Sequence, residues 1–212
     1  MPYERNQNLG LTDKKPLLRF LPNTSTLDNI EYYESIEDEP IAEMFSNTTV
    51  IFVDIPGFTS WSSEQEPSMV FKLLETLYSA FDLIAKNHNV FKVKTIGDCY
   101  VAVTGLPEPD KNHVVSCNKF ARQCLVAMEV LTQELEITSS PGTSDLGLQI
   151  GLHLGPITAG VLRSDQPRLQ LFGDTMNMAS RMESTSKAGK IHVLEGTASL
   201  LPQRDMLDWL VK

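Results

Sequence analysis

Short apolar runs alternate with long helical patterns from about residue 48 onwards, and this alternation constrains the fold more than any other feature. A strand pattern at Thr48–Asp54 leads into a helical pattern at about Ser68–His88. Strand patterns at Val90–Ile96 and Tyr100–Thr104 precede a second helical pattern at about His113–Leu135. Apolar residues recur every three or four positions in both helical segments. We therefore predict an α+β ferredoxin-like sandwich.

The second half of the chain continues the alternation. We predict strands around Leu146–Leu154 and Ile157–Val161, joined by a turn at Gly155-Pro156. A strand near Leu169–Phe172, a helix at about Thr175–Ser186 and a strand at Lys190–Leu194 follow. Residues 1–40 differ, because they are polar and proline-containing and end in an acidic stretch, which predicts a linker or a weakly ordered tail.

Two aspartates each follow an apolar strand pattern. Asp54 ends the run that starts at Val50, and Asp98 follows Gly97 between two strand patterns, where glycine permits a tight hairpin. Two carboxylates that converge at a sheet edge can hold a pair of divalent cations. The alternative is that each aspartate is only a turn former or a helix N-cap.

Composition excludes several classes of function. The net charge of −9 and the pI near 4.9 leave no basic face for nucleic acid or an anionic membrane. No Walker loop is present, which disfavours an ordinary P-loop NTPase. The three cysteines have no CxxC spacing, and the four histidines have no spacing typical of metal ligands. The N-terminus does not resemble a signal peptide, so we predict a reduced, cytoplasmic chain.

Four segments in order resemble the signature blocks of the class III nucleotidyl cyclases, the adenylyl and guanylyl cyclase catalytic domains. They are VIFVDIPGFTSW, FKVKTIGDCYVAVTGLPEP, LQIGLHLGPITAGVL and LQLFGDTMNMASRMESTSKAGKIHV. Four blocks in the right order are far more specific than one short motif. The resemblance implies a catalytic domain over 41–212 that converts a purine nucleoside triphosphate to a 3′,5′-cyclic nucleotide and pyrophosphate.

The resemblance assigns the metal half of the site to the first two blocks. It implies that Asp54 and Asp98 bridge two divalent cations, Mg²⁺ or Mn²⁺, and that the carbonyl of Ile55 completes one coordination shell. It also implies that N–H groups around Gly57, Phe58 and Thr59 contact the β- and γ-phosphates. Arg163 or Arg168 is a further candidate phosphate contact, because Asp165 stands where the family often has a basic residue.

The last block supplies the residues expected to act on the α-phosphate. Asn177 and Arg181 stand four residues apart, so both lie on one helix face. The resemblance implies that the amide positions the ribose and the guanidinium meets charge that builds at the α-phosphate. The alternative is that the two residues merely line a solvated helix face. The chain also stops before the family's C-terminal hairpin, so we expect it to be C-terminally truncated.

Two positions match the pair with which the family recognises the purine base, Lys94 and Gln170. Guanylyl cyclases typically carry Glu at the first position and Cys at the second, whereas adenylyl cyclases carry Lys and then Asp or Thr. Lys94 therefore predicts ATP as the substrate and cAMP as the product, while an amide at Gln170 can serve either base. GTP and cGMP remain the alternative.

In the family the metal half and the Asn/Arg half meet only across a head-to-tail dimer. The resemblance therefore implies a homodimer, with a heterodimer as the alternative. We expect a cytoplasmic location, or the cytosolic part of a membrane-bound receptor-type cyclase, with any membrane contact through segments absent from this chain. A non-catalytic, cyclase-like dimerisation or nucleotide-sensing module is the competing function.

Overall fold

The computed structural model describes residues 42–138, 142–162, 168–201 and 209–211. The predicted N-terminal tail lies outside these ranges. The chain divides into two compact units, one of Met1–Glu43 with Ala159–Gln170 and one of Met44–Thr158 with Leu171–Lys212. The described elements, in chain order, are β1 (Ala42–Asp54), α1 (Phe58–Ser63), α2 (Pro67–Asn87), β2 (Phe91–Ile96), β3 (Cys99–Thr104), α3 (His113–Thr138), β4 (Gln149–Leu162), β5 (Arg168–Phe172), α4 (Asp174–Ser184), β6 (Lys190–Val193), α5 (Glu195–Ala198) and β7 (Trp209–Val211).

The strands of the described residues form one mixed sheet in the order β2-β3-β1-β4-β6-β7, with β5 paired to β4. Strand β3 runs antiparallel to both β1 and β2, with Phe52 opposite Val101 and Ile96 opposite Cys99. Strand β6 runs parallel to β4 and to β7. The predicted α+β fold is confirmed, and the central strand β1 ends between the β2–β3 hairpin and β4.

Helices α2 and α3 pack against each other and contribute to the core of the larger unit. The α2 residues Leu73, Leu77 and Phe81 are almost fully buried, at the spacing of one helix face. On α3, Cys117 and Cys124 are fully buried as free thiols, so both pack in the core. The core also includes the apolar residues of β1, β3, β4 and β6.

The turn predicted at Gly155-Pro156 is wrong. The segment with Gly155-Pro156 is not a turn, because β4 runs without interruption from Gln149 to Leu162. The carbonyls of Gly155 and Pro156 accept hydrogen bonds from the hydroxyls of Thr48 and Thr175, each at 2.7 Å. Thr175 packs so closely that a Cβ on Gly155 would collide with its side chain. The glycine thus serves a close approach of α4, not a chain reversal.

Other differences concern element length. Strand β1 begins at Ala42, six residues before the predicted start, and the short helices α1 and α5 were not predicted. Helix α4 begins at Asp174 and ends at Ser184, close to the predicted bounds. Helix α2 likewise begins one residue before its predicted start, with Pro67 in its first turn.

Candidate active site

Asp54 is the last residue of β1, where the buried run of the strand meets a partly exposed edge. Val53 and Ile55 on either side are buried, while Asp54 is half-buried. The following helix α1 has Gly57 as its N-cap, in a left-handed conformation with φ of 79°, and no side chain caps it. Asp54 therefore does not cap α1, which removes one alternative interpretation of this residue.

Asp98 lies in the two-residue loop of the β2–β3 hairpin. Ile96 pairs with Cys99 across the strands, and Gly97 takes a positive φ of 60°, as the first central residue of such loops often does. The predicted hairpin is confirmed. The loop holds Asp98 at the end of the sheet at which β1 ends, because β1 and β3 are antiparallel neighbours.

Helix α2 anchors this hairpin through an aromatic and charged network. The hydroxyl of Tyr78 donates a 2.7 Å hydrogen bond to the carbonyl of Gly97, directly before Asp98. Lys92 makes a 2.8 Å ion pair with Asp82, which also accepts a hydrogen bond from the Tyr100 hydroxyl. The Lys92 ammonium lies 5.1 Å from the centre of the Tyr100 ring. The loop that carries Asp98 is thus attached to a helix whose inner face is buried in the core.

The structure brings Asp54 and Asp98 together. Burial raises the pKa of Asp54, and the neighbouring charge and a hydrogen bond of Asp98 raise it further, while a hydrogen bond from Gln149 lowers it. Burial, followed by the charges of Asp54, Glu183 and Asp98, raises the pKa of the Cys99 thiol to about 12. Burial and the same two aspartates also raise the pKa of the Tyr78 hydroxyl. In all three groups burial is the largest cause and the neighbouring carboxylates add to it, so negative charge is concentrated at this edge of the sheet.

Gln149 and Glu183 extend the cluster and were not predicted from the sequence. The side-chain amide of Gln149 donates to Glu183 and, at 3.5 Å, to Asp54. Glu183 is only 8% exposed, and burial, followed by the charge of Asp54, raises its pKa. The sequence did contain a pattern that indicates burial of Glu183, because this residue continues the four-residue spacing of the buried Thr175 and Ala179 along α4.

The predicted Asn/Arg pair lies on the other side of α4. Asn177 and Arg181 are both exposed, four residues apart, whereas Ala179 and Glu183 are buried. Within this chain the helix therefore turns the Asn/Arg pair away from the side that reaches Asp54. The structure does not bring the pair together with the two aspartates of the same chain.

The segment from Ile55 to Thr59 forms a tight turn into α1. The N–H of Phe58 donates to the carbonyl of Ile55 at 3.1 Å, so this candidate phosphate donor is already engaged in the turn. A carbonyl oxygen has two lone pairs, so the Ile55 carbonyl keeps one for another partner. Thr59 lies in the first turn of α1, where N–H groups have no acceptor within the helix.

The predicted base-recognition residues lie in different units. Lys94 is exposed on β2, next to a register shift between Lys92 and Lys94, and belongs to the larger unit. Gln170 lies on β5 in the smaller unit and is half-buried. Arg168 is the first residue of β5, and Arg163 lies outside the described residues.

The donor set at the aspartate pair suits a hard cation. Across the described ranges, no three His, Cys, Asp or Glu side chains are placed so that they could hold a metal ion. Asp54 and Asp98 offer oxygen ligands side by side, and after burial, repulsion by the charge of Asp98 is the next cause that raises the pKa of Asp54. A divalent cation between them would relieve this repulsion, with water, carbonyl and phosphate oxygens at its other positions, as Mg²⁺ prefers.

Comparisons with known proteins agree with this geometry. Residues 41–208 match the model of the family described as the adenylate and guanylate cyclase catalytic domain. The chain is 41% identical over 187 residues to atrial natriuretic peptide receptor 2 of Homo sapiens, which covers 88% of this chain and 17% of the receptor. It is 45% identical over 159 residues to guanylate cyclase 2G of Mus musculus, which covers 75% of this chain and 14% of the relative.

A solved structure gives the same result for the fold. The catalytic core of a rhodopsin-guanylyl cyclase with converted specificity, in complex with ATPαS, superposes with a TM-score of 0.67 at 39% identity, over 77% of this chain and 85% of that chain. Two of these proteins are named as guanylyl cyclases, whereas Lys94 predicts ATP. Among the described helices, none combines the length and the hydropathy that a membrane span requires.

Proposed function

Because the chain belongs to the adenylate and guanylate cyclase catalytic domain family, we propose that it cyclises a purine nucleoside triphosphate to a 3′,5′-cyclic nucleotide and pyrophosphate. The observation that carries the proposal is the meeting of Asp54 and Asp98 at one edge of the sheet. Two carboxylates held side by side suit phosphoryl chemistry that depends on divalent cations.

The chemistry requires the ribose 3′-oxygen to attack the α-phosphorus in line while pyrophosphate leaves. Bound Mg²⁺ or Mn²⁺ would lower the pKa of the 3′-hydroxyl and neutralise charge on the triphosphate. Asp54 and Asp98 would hold the cations, helped by the Ile55 carbonyl. The N–H groups of Gly57 and Thr59 would contact the β- and γ-phosphates.

The aspartate pair and the Asn/Arg pair lie on different sides of α4, and this arrangement supports a site shared between two chains. Glu183 on the buried face of α4 approaches Asp54, so the exposed Asn177 and Arg181 cannot face that aspartate in the same chain. In a head-to-tail homodimer, Asn177 of one protomer would position the ribose and Arg181 would stabilise charge on the α-phosphate bound by its partner. Arg163 or Arg168 would add a phosphate contact.

We propose GTP as the substrate, on the basis of the relatives named as guanylyl cyclases. The amide of Gln170 can pair with guanine because it both donates and accepts. Lys94 is compatible with a bound guanine if its ammonium donates a hydrogen bond to an acceptor on the six-membered ring of that base. The product would then be cGMP.

A second candidate substrate, ATP, has one specific observation in its favour. Lys94 offers only donors and stands where the family's adenylyl cyclases carry Lys. It can donate to adenine N1, whereas it can satisfy neither the N1 nor the N2 donor of guanine. A relative with converted specificity holds ATPαS in the same fold, so the architecture itself accepts an adenine nucleotide.

Product analysis separates these candidates. The purified chain is incubated with ATP or GTP in Mn²⁺ and in Mg²⁺, and cAMP and cGMP are quantified beside an Asp54→Ala control. Higher kcat/KM for GTP supports the guanylyl proposal, and higher kcat/KM for ATP replaces it with the adenylyl one. Nucleotide binding without either product, in this chain and in a version extended past Lys212, would favour the non-catalytic module and overturn the enzyme.

The biological setting is part of the same proposal. The chain spans 17% of the length of the natriuretic peptide receptor that it matches. We propose that it acts as the cytosolic catalytic part of a larger signalling protein. Fusion of the chain to its native flanking sequence, followed by cell fractionation, would test this location.

A further inference from the structure

We propose that Gln149 is a positioning residue that joins the metal carboxylate Asp54 to Glu183 on α4, and so couples the two half-sites that one chain supplies. This inference rests on the proposed function, since it assigns a role within the same site. It concerns two side chains, Gln149 and Glu183, for which the signature blocks suggested no role.

The contacts place Gln149 between the two carboxylates. Its amide nitrogen donates to Glu183 and lies 3.5 Å from Oδ2 of Asp54. A side-chain amide has two N–H donors, so one group can serve both acceptors. Glu183 is 8% exposed, and a buried carboxylate without a donor would be costly. Gln149 therefore stabilises the buried Glu183 and directs one edge of Asp54 in a single arrangement.

The backbone around Gln149 is tightly packed against α4. Gln149 and Gly151 share one face of β4, while Leu148, Ile150 and Leu152 face the apolar core. Helix α4 packs so tightly on Gly151 that a Cβ there would collide with the backbone of Ala179 and Glu183. The close approach of strand and helix thus lies two residues from Gln149 and involves the backbone of Glu183 itself.

The same helix carries the Asn/Arg pair on its opposite side. Arg181 stands two residues before Glu183 and is exposed, so a shift of Glu183 would also move Arg181. Under the proposed dimer, Asp54 serves one active site and Arg181 serves the other. Gln149 therefore connects the metal half of one site with the transition-state half of the second.

Mn²⁺ binding tests the first part without any need for catalysis. Free Mn²⁺ is followed by electron paramagnetic resonance as the full chain is titrated, with Asp54→Ala as the reference for a lost site. Gln149→Met keeps the length of the side chain but removes its donors, and we expect Mn²⁺ affinity to fall about tenfold, as for other residues that orient a metal ligand. Glu183→Gln keeps an acceptor for Gln149, and its affinity should stay within about threefold of wild type.

A double variant separates positioning from stability. Gln149→Leu combined with Glu183→Leu removes both partners, so no buried carboxylate on α4 is left without a donor and thermal stability should recover relative to Gln149→Met. Mn²⁺ affinity should remain low, because Asp54 still lacks its donor. Recovery of both stability and Mn²⁺ affinity would overturn the positioning role. Absence of Mn²⁺ binding by the wild-type chain would overturn the proposed metal site itself.

Mixed dimers test the second part. One chain carries Asp54→Ala and its partner carries Arg181→Ala, which leaves a single complete site. Gln149→Met in the Asp54→Ala chain can reach that site only through α4, so kcat should fall at least about threefold with no change in the Mn²⁺ concentration for half-activation. Gln149→Met in the other chain should raise that concentration about tenfold. An unchanged kcat in the first pairing would overturn the coupling.

Discussion

The end of the sheet that carries Asp54 and Asp98 differs from the exposed face of α4 in how completely this one chain builds it. Asp54 comes from the end of β1 and Asp98 from the loop between β2 and β3. The Tyr78 hydroxyl on α2 and the side-chain amide of Gln149 on β4 hold their surroundings in place. Asn177 and Arg181 come from one turn of one helix and are exposed. The first region is assembled by tertiary packing, and the second by helical spacing alone.

This difference bears on the proposed dimer. Asp54 and Asp98 already lie side by side in the single chain, where burial and then the charge of Asp98 raise the pKa of Asp54. An exposed amide and guanidinium become ordered only against a ligand or a second protein surface, because ordering long side chains costs entropy. We therefore expect variants of the aspartate region to act within their own chain, and variants of the α4 face to act on the site of the partner.

The largest expected effect comes from removal of either carboxylate. Asp54→Ala or Asp98→Ala should abolish cyclic nucleotide formation, because each would remove a proposed ligand of both cations. Dimerisation, measured by analytical ultracentrifugation, should be unchanged, because neither side chain belongs to the apolar core. Turnover within about tenfold of wild type in either variant would contradict the assignment.

Complementation is the sharpest test of the comparison between the two regions. Inactive Asp54→Ala mixed with inactive Arg181→Ala should regain about a quarter of wild-type activity, because half of the dimers are mixed and each mixed dimer has one complete site. The measurement is cyclic nucleotide formation after subunit exchange, which a fluorescence-transfer assay verifies. Verified exchange without any recovery would show that both regions serve one site in one chain.

Base selectivity should change by a smaller factor. Lys94→Glu offers an acceptor to the N1 and N2 donors of guanine and cannot pair with adenine N1. The ratio of kcat/KM for GTP to that for ATP should rise at least about tenfold, or about 1.4 kcal/mol. Lys92→Glu is not a suitable control, because Lys92 pairs with Asp82. The exposed Lys86 on α2 provides the matched charge reversal, and an equal change in that variant would refute the role of Lys94.

Loss of the Tyr78 hydroxyl should have a moderate effect. Tyr78→Phe removes the hydrogen bond to the carbonyl of Gly97 and loosens the loop that carries Asp98. We expect kcat to fall about threefold to tenfold with little change in thermal stability, since the ring stays packed. Tyr100→Phe is the control, because its hydroxyl contacts Asp82 instead. Equal losses of kcat in both variants would assign the effect to the aromatic cluster as a whole.

The smallest expected effect is on the stability of the metal-free chain. Burial and Asp98 raise the pKa of Asp54 above its ordinary value of 3.8, so the folded chain holds this proton more tightly than the unfolded chain. The free energy of unfolding should therefore fall as pH rises from about that value through the raised pKa. At pH 7 in EDTA, Asp54→Asn should raise the melting temperature by a few degrees, and the gain should shrink at acidic pH. A gain that is equal at all pH values would exclude titration as its cause.

Sequence patterns predicted most of the elements that position the site. The hairpin at Gly97-Asp98, the end of β1 at Asp54 and the helix of Asn177 and Arg181 lie where the patterns indicated. The prediction of a turn at Gly155-Pro156 was wrong. A Gly-Pro pair is typical of turns, but here the segment stays extended and contacts Thr175, which lies far along the chain. Local patterns cannot show that a glycine is needed for the close approach of a distant helix.

The sequence by itself determined the family, the alternation of strands and helices and the spacing of Asn177 and Arg181, since these depend on residue order and local periodicity. Only the tertiary structure decided that Asp54 meets Asp98, that Gln149 bridges Asp54 to Glu183, and that α4 turns Arg181 away from them. These relations join residues far apart in the chain, and their energies depend on burial and on distances between charges, which no local pattern encodes.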